Sequence, residues 1–312
     1  MNKQKLIVLT GPTAVGKSKL SIELAGKIGG EIISADSMQV YKYMNIGTDK
    51  ISKENMGGIP HHLIDFLDPK EDFNVFMFQK LVKEAIADIS SRGKIPILVG
   101  GTGFYIQAVL YDIDFTETDE DNTIRSELEE RVRKEGTSGI YEELKSVDPE
   151  SALLIHENNS KRVIRALEYY KKTGKKISEH NKEQSEKTSP YDFYYFVLTD
   201  DREVLYSRID KRVDARIEEG LVDEVKELMQ MDIPKTATSM QSLGYREIFG
   251  YLDGEYDLDR AIYLIKRNTR HFAKRQLTWF RREKDVRWID KSAFGRDDNL
   301  VLNEILRIYE NE

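Results

Sequence analysis

The sequence predicts an α/β fold in which a parallel β-sheet is flanked by helices and carries an inserted all-helical lobe. Short apolar runs that read as buried strands alternate with helical patterns in the first third of the chain. Such alternation is typical of a parallel sheet with helices on both faces. Residues 112–122 are acidic, a helical pattern follows to about residue 174, and a strand pattern returns only after residue 190. We therefore predict a core formed by residues 1–112 and 191–312, and a helical insertion spanning 113–190.

The core strands are expected where short apolar runs occur. The stronger candidates are residues 6–10, 31–35, 95–99 and 193–198, and the weaker ones are 62–67 and, at a sheet edge, 286–290. Amphipathic helices are predicted from residue 73 to about 91 and from residue 104 onwards. Glycine and proline residues predict a loop over 42–60.

The insertion and the last third of the chain are predicted to be mainly helical. In the insertion, helices are expected over residues 122–174, and the polar segment 175–190 is expected to be a loop. After residue 201, helices are expected to break at Gly220, Pro234 and Gly254.

The composition indicates a globular protein without a membrane span. Of the 312 residues 39% are hydrophobic and 33% charged, and no apolar run approaches the roughly 20 residues that a span needs. The first residues enter a strand at once, so we expect no signal peptide. The absence of cysteine excludes thiol catalysis and cysteine–zinc sites, and it fits a reducing cytoplasm. The net charge of −7 argues weakly against nucleic acid, although local basic segments remain.

A glycine-rich loop lies between the first strand and the first helix. Its residues are Gly11, Pro12, Thr13, Ala14, Val15, Gly16, Lys17 and Ser18, which match the phosphate-binding pattern G-x-x-x-x-G-K-S. Free amides at the helix N-terminus bind phosphate oxygens, Lys17 adds positive charge, and the Ser18 hydroxyl is suited to Mg²⁺. The motif predicts a P-loop NTPase-like sheet and a polyphosphate or pyrophosphate ligand, without specifying ATP.

The ends of two further strands bear on the chemistry. Asp36 follows the second strand, at the sheet edge where ligands bind, and could act as a general base, coordinate magnesium or cap a turn. Enzymes of this fold that cleave ATP usually carry a magnesium-binding acid at the end of another strand. Here the strand at 95–99 ends in glycine-rich residues 100–103, which weakens a kinase reading. Those glycines either admit a ligand or form a tight turn.

Three basic segments are candidates for phosphate or RNA contact. The first is residues 161–165 together with the lysines and tyrosines between residues 169 and 176. The second is the pair Arg212 and Arg216, and the third is the aromatic-containing run 266–282. Arginines suit phosphate oxygens, and a basic helix with aromatic residues suits nucleic acid. Each segment could instead be a solvated or salt-bridged helix face, and the sequence leaves both interpretations open.

Together these motifs resemble the bacterial tRNA dimethylallyltransferases, also called tRNA isopentenyltransferases, of the IPP transferase family. The resemblance covers almost the whole chain in order. It rests on the glycine-rich loop, on Asp36-Ser37-Met38-Gln39-Val40-Tyr41, on Gly100-Gly101-Thr102-Gly103-Phe104-Tyr105, on Lys161-Arg162-Val163-Ile164-Arg165, on Gln241-Ser242-Leu243-Gly244-Tyr245, on Arg267-Asn268-Thr269-Arg270 and on Trp279-Phe280. Eukaryotic members add a zinc finger, so a chain without cysteine resembles the bacterial form.

The resemblance implies a transfer reaction. The dimethylallyl group of dimethylallyl diphosphate would move to the exocyclic N6 amine of the adenosine 3′-adjacent to the anticodon, and pyrophosphate would leave with help from Mg²⁺ on Ser18. The glycine-rich loop would bind the diphosphate, and Thr13 would hydrogen-bond its bridging oxygen. Arg212 would neutralise the leaving group, and Asp36 would accept a proton from the amine.

The resemblance also implies how tRNA is held. The target base must leave its stack, as in other enzymes that act on a nucleobase. The implied tRNA contacts are Asp36, Ser37, Met38, Gln39, Thr102, Arg125, Lys161, Arg162, Val163, Ile164 and Arg165. The insertion would thus grip the anticodon stem-loop, and we expect a cytoplasmic monomer that does not bind membranes.

Three other functions make different demands on the sequence. A small-molecule kinase would need an acid after the strand at 95–99 and would need no RNA-binding segment. An isopentenyltransferase acting on free adenine nucleotide would need no helical insertion. A non-catalytic RNA-binding protein with this loop would retain the basic helix but would need neither Thr13 nor Asp36.

Overall fold

The computed structural model describes residues 3–115 and 123–311. Residues 1–2, the acidic stretch 116–122 and residue 312, which belong to the predicted core and insertion, lie outside the described residues. Within the described ranges, six strands form one sheet in the order β3-β2-β4-β1-β5-β6, and every pair is parallel. The strands are β1 (Gln4–Thr10), β2 (Gly30–Ala35), β3 (His61–His62), β4 (Ile95–Gly100), β5 (Tyr191–Thr199) and β6 (Val286–Asp290). The predicted α/β class, with its parallel sheet flanked by helices, is confirmed.

The helices follow the sequence pattern closely. They are α1 (Lys17–Ile28), α2 (Val75–Ser91), α3 (Gly103–Leu110), α4 (Thr123–Glu135), α5 (Ser138–Val147), α6 (Pro149–Leu154), α7 (Ser160–Thr173), α8 (Ile177–Ser185), α9 (Arg202–Glu218), α10 (Leu221–Met229), α11 (Tyr245–Leu252), α12 (Leu258–Phe280) and α13 (Asp298–Asn311). No helix in the described part of the chain has both the length and the apolar character of a membrane span.

The chain divides into two units. One comprises residues 1–110 and 190–312 and contains the sheet, and the other comprises residues 111–189 and contains α4 to α8. In the sheet unit, β1 lies at the centre and Leu6 to Leu9 are fully buried, because helices cover both faces. The helical unit has its own apolar core, which includes Leu128, Leu144 and Leu167.

Two local predictions were wrong. The segment 175–190 is not all loop, since α8 forms within it. The carboxylate of Asp148 accepts hydrogen bonds from the backbone amide and the hydroxyl of Ser178, at 3.0 and 2.7 Å, and so fixes the first turn of α8. Of the strand expected over residues 62–67, only His62 lies in β3, because Leu63 and Asp65 have φ of 61° and 58°, which break a strand.

Candidate active site

The glycine-rich loop connects β1 to α1 and curls around the N-terminus of that helix. Gly11 has φ of 142°, and a Cβ there would lie 2.4 Å from the Leu198 carbonyl oxygen. Gly16 has φ of 98° and immediately precedes the first residue of α1. These two positions therefore require glycine, and the loop that they shape leads into a helix N-terminus, where free amides can bind an anion.

Lys17 is held inside this loop. Its Nζ donates to the carbonyl oxygens of Gly11 and Pro12, at 3.0 and 2.8 Å. Burial and the nearby positive charge of Arg212 lower the pKa of Lys17 to about 7, although Asp36 opposes the shift. A bound anion would stabilise the charged ammonium, because opposite charge raises the pKa of a buried cation.

A cavity of about 360 Å³ opens beside this loop, at the carboxyl ends of the strands. It brings together eight of the predicted site residues. They are Thr13, Ala14, Gly16, Lys17, Ser18, Asp36, Gln39 and Arg212. It also includes Arg216, a candidate from the sequence, and three polar residues without a role predicted from the sequence, Asp49, His61 and Gln276. Ser37, Met38 and Thr102 are partly buried nearby in the chain but are not among the cavity-lining residues.

Asp36 follows β2 and closes a turn, which is one of the roles expected for it, while its role as a base stays a prediction. One carboxylate oxygen accepts a hydrogen bond from the Met38 amide at 2.9 Å, which closes a local turn. Asp36 nevertheless lines the cavity, so this bond orients the carboxylate there.

Gln39 has both ends of its side chain engaged within the protein. Its Nε2 donates to the carbonyl oxygens of Thr48 and Asp49, each at 3.2 Å, and its Oε1 accepts from the Ser34 hydroxyl at 3.2 Å. A contact between Gln39 and RNA would have to replace one of these bonds.

Three arginines of α9 line the cavity at intervals of about one turn, namely Arg208, Arg212 and Arg216. Arg212, one of the predicted residues, forms an ion pair with Asp49. Burial and the neighbouring Arg216 lower the pKa of Arg212 to about 10, so it stays protonated at neutral pH. The Nε of Arg216 is buried and has no hydrogen-bond partner among the described residues. An orphaned buried donor beside the glycine-rich loop is what an anionic ligand would satisfy.

Gln276 of α12 joins two loops of the site. Its Oε1 accepts from the backbone amide of Thr13 at 2.9 Å, and its Nε2 donates to the Gly101 carbonyl oxygen at 3.0 Å. A Cβ at Gly101 would lie 2.1 Å from that Nε2, and one at Gly103 would lie 2.2 Å from the Trp279 ring. The glycines after β4 therefore admit close approach of α12 side chains.

Ser18 is the residue that would hold a magnesium ion. It is exposed in the first turn of α1 and lines the cavity. Within residues 3–115 and 123–311, no cluster of three or more His, Cys, Asp or Glu residues forms a metal site. A single hydroxyl beside a phosphate site is compatible with Mg²⁺, which commonly keeps water and ligand oxygens among its ligands.

In the helical unit, α7 presents the predicted basic segment. Lys161, Arg162 and Arg165 are exposed, whereas Val163 and Ile164 are 0% and 6% exposed and belong to the apolar core. Val163 and Ile164 therefore have no side-chain surface for RNA, and only their backbone could contribute. Their spacing with Leu167 is the helical core pattern that could have indicated this. The predicted Arg125 is exposed on α4, and its Nε lies 3.4 Å from the Glu168 carboxylate.

The two parts of the basic run on α12 differ: the first forms a salt-bridged face, and the second borders a surface cavity. In its first part, Lys266 and Arg270 pair with Asp214 and Asp210 of α9 at 2.6 Å, as a salt-bridged face would. In its second part, basic and aromatic residues border a surface cavity of about 400 Å³. They are His271, Lys274, Arg275, Thr278, Trp279 and Arg282.

The fold and cavity define a P-loop protein with a carboxylate, Asp36, after β2 and glycines, Gly100 and Gly101, where β4 ends. Comparison with known families agrees. The IPP transferase family profile matches residues 39–283, and the Isopentenyl transferase profile matches residues 4–66. The chain belongs to the IPP transferase family, which is a family of prenyl transferases, and the predicted resemblance is confirmed.

Relatives and solved structures cover nearly the whole chain. It is 56% identical over 305 residues to the tRNA dimethylallyltransferase of Lachnoclostridium phytofermentans, covering 98% of this chain and 97% of the relative. It is 53% identical over 287 residues to that of Carboxydothermus hydrogenoformans, with 92% of each chain covered. It is similar to the crystal structure of tRNA delta(2)-isopentenylpyrophosphate transferase from Staphylococcus epidermidis, with a TM-score of 0.74, 43% identity, and 99% and 100% of the two chains covered. It is also similar to a eukaryotic dimethylallyltransferase acting on tRNA, with a TM-score of 0.81, 36% identity, and 92% and 74% covered.

Proposed function

We propose that this chain transfers the dimethylallyl group of dimethylallyl diphosphate to the N6 amine of the adenosine 3′-adjacent to the anticodon in tRNA, releasing pyrophosphate. One observation carries the proposal. The cavity joins the glycine-rich loop and three arginines to a carboxylate, Asp36, which is oriented by its own turn. The relatives named as tRNA dimethylallyltransferases support the same substrates.

The diphosphate would lie against the loop amides. Lys17, Arg212 and Arg216 surround this position with positive charge, and the free Nε of Arg216 offers a buried donor. The remaining lining residues include Ile32, Ile51, Ile64, Val99 and Phe272, which offer apolar surface for a five-carbon chain. The donor would therefore bind with its charged end on the loop and its allylic carbon facing the rest of the cavity.

Transfer forms a nitrogen–carbon bond and breaks a carbon–oxygen bond. As the N6 lone pair attacks the allylic carbon, the electron pair of the breaking bond passes to the bridging oxygen of the diphosphate. Thr13 would donate to that oxygen, and Lys17 and Arg212 would neutralise its growing charge. A magnesium ion held by Ser18, when bound, would supply further neutralisation. Asp36 would accept the proton lost from N6 and later return it to water.

The RNA would be bound by exposed basic side chains. In the helical unit these are Arg125, Lys161, Arg162 and Arg165, and in the sheet unit they are the residues around the second part of α12. Lysine and arginine contacts to phosphates supply affinity, and a splayed loop base supplies specificity. We further propose that one chain acts alone, since a single chain carries every assigned residue, and that it acts in the cytoplasm, where its tRNA substrate is found.

The test is mass analysis of tRNA nucleosides after incubation with the full chain, dimethylallyl diphosphate and Mg²⁺. N6-isopentenyladenosine is expected next to the anticodon, and equal modification of free AMP would instead indicate the nucleotide-modifying class. ATP consumption by the chain without any use of dimethylallyl diphosphate would overturn the proposal.

A further inference from the structure

The diphosphate cavity contains a second carboxylate, and its position is unexpected in an anion site. Asp49 forms an ion pair with Arg212, and its Oδ1 lies 3.9 Å from the Arg216 guanidinium. We propose that Asp49 is an internal competitor for Arg212 that weakens binding of the pyrophosphate product and so speeds its release. This inference rests on the proposed function, because it assigns the cavity to a diphosphate.

The segment that carries Asp49 is fixed by the protein itself. The carboxylate of Glu224, on α10, accepts hydrogen bonds from the amides of residues 45–47 at 2.8, 2.8 and 3.1 Å, and from the Tyr245 hydroxyl at 2.6 Å. Gln39 holds the other side of the segment through the carbonyl oxygens of Thr48 and Asp49. Asp49 is therefore a built part of the cavity wall.

The backbone at Asp49 is also specialised. Its φ is 56°, a region that aspartate, asparagine and glycine tolerate better than other residues. The turn places the Asp49 carboxylate against Arg212 rather than in open solvent, and its side chain is 36% exposed. It is thus accessible to a ligand that enters the cavity.

Charge explains why this arrangement discriminates between donor and product. In the donor, the bridging oxygen is bonded to carbon and carries no charge. When that bond breaks, the oxygen keeps the electron pair, and pyrophosphate becomes more anionic than the ester. A fixed carboxylate beside the arginines repels the more anionic species more strongly, and it recaptures Arg212 as the product leaves.

Two variants that suit the positive φ test the proposal. Asp49→Asn keeps the shape of the side chain without its charge, and Asp49→Gly removes the side chain altogether. The probe is inorganic pyrophosphate at fixed Mg²⁺, with its dissociation constant measured calorimetrically on the full chain and its inhibition constant measured in the transfer assay. Both variants should bind pyrophosphate about tenfold more tightly. Affinity for dimethylallyl diphosphate should rise less, and burst kinetics should show slower product release.

The matched control is Glu54→Gln, which removes one negative charge from an exposed residue just beyond the same segment. This control should leave pyrophosphate affinity unchanged. In an Arg212→Lys background, Asp49→Asn should increase pyrophosphate affinity by a smaller factor. Equal or weaker pyrophosphate binding by both Asp49 variants would overturn the proposal, since weaker binding would mean that Asp49 merely orients Arg212. Pyrophosphate binding does not require RNA modification. A wild-type chain that binds pyrophosphate but modifies no tRNA would therefore reject the proposed function alone.

Discussion

The side chain of Gln276 fixes the backbone of Thr13, through a hydrogen bond of 2.9 Å between the Thr13 amide and Gln276 Oε1. The two residues lie 263 positions apart in the sequence. The bond fixes the point of the glycine-rich loop from which the Thr13 hydroxyl is proposed to reach the bridging oxygen. Gln276 is therefore a positioning residue, and the kinetics of its variants can reveal that role.

Gln276→Ala should lower kcat more than it raises the KM for dimethylallyl diphosphate. We expect a fall of about tenfold or more, because a misplaced contact to the leaving oxygen acts on the transition state. Loss of the two hydrogen bonds should also cost about 1–3 kcal/mol of unfolding free energy. Steady-state kinetics and denaturant unfolding measure the two effects. Thr13→Ala is the comparison, and adding Gln276→Ala to it should lower kcat little further if both act through the same contact.

Asp36→Ala should reduce transfer by about 100-fold or more while leaving pyrophosphate binding nearly intact. The carboxylate is proposed to act on the amine rather than on the diphosphate. Single-turnover rates and calorimetric pyrophosphate affinity separate these effects. Asp36→Asn, which can still accept from the Met38 amide, is the matched control for the turn. Unchanged turnover in either variant would refute the proposed base.

The double variant Lys161→Ala with Arg165→Ala should raise the KM for tRNA. The slope of log affinity against log salt should flatten by about 1.5, because two phosphate contacts would be lost. The matched control is Arg133→Ala with Lys134→Ala, which removes two exposed basic residues of the same helical unit that pair with Glu130. If both pairs behave alike, α7 has no special part in RNA binding.

The lowered pKa of Lys17 predicts that pyrophosphate binding is coupled to proton uptake. Burial lowers its pKa to about 7 in the ligand-free fold, and a bound anion should raise it again. At pH 8 the ligand-free side chain is then mostly neutral, so binding should take up close to one proton. Titration calorimetry in buffers of different ionisation enthalpy measures this uptake, and Lys17→Met should abolish it.

The lowered pKa of Lys17 also makes the free energy of unfolding depend on pH. The unfolded chain binds this proton more tightly than the fold does, so between pH 7 and about 10 the Lys17 contribution should make the fold more stable as pH rises. Below pH 7 both states are charged, and the full cost of burying the charge remains. The Lys17→Met variant should lack this pH-dependent contribution in denaturant unfolding, and an identical profile would contradict it.

The sequence predicted the parts of the site that are contiguous and left the others unassigned. The glycine-rich loop and Asp36 could be located because each follows a strand within a short motif. Gln276, Asp49 and Glu224 could not, because their partners lie far along the chain and no local pattern marks them. Arg216 was found as a neighbour of Arg212, but its cavity-facing position depends on how α9 packs.

The wrong predictions of secondary structure and of burial have related causes. The polar sequence of α8 gave no amphipathic signal, and its first turn depends on Asp148, thirty positions earlier. Val163 and Ile164 lie within the basic motif 161–165, and the resemblance implied tRNA contact for the whole motif. The helical period assigns them instead to the apolar core.

The carboxylate of Glu224 does for residues 45–47 what a phosphate oxygen does for a glycine-rich loop, since it collects several amides that would otherwise lack acceptors. Among the described residues, one group of amides is thus closed by the protein's own carboxylate, whereas the glycine-rich loop is open to a ligand. The closed group needs no ligand to become ordered. Any loss of conformational freedom when diphosphate enters should therefore fall on the glycine-rich loop and on the arginine side chains, while the wall opposite them is already rigid.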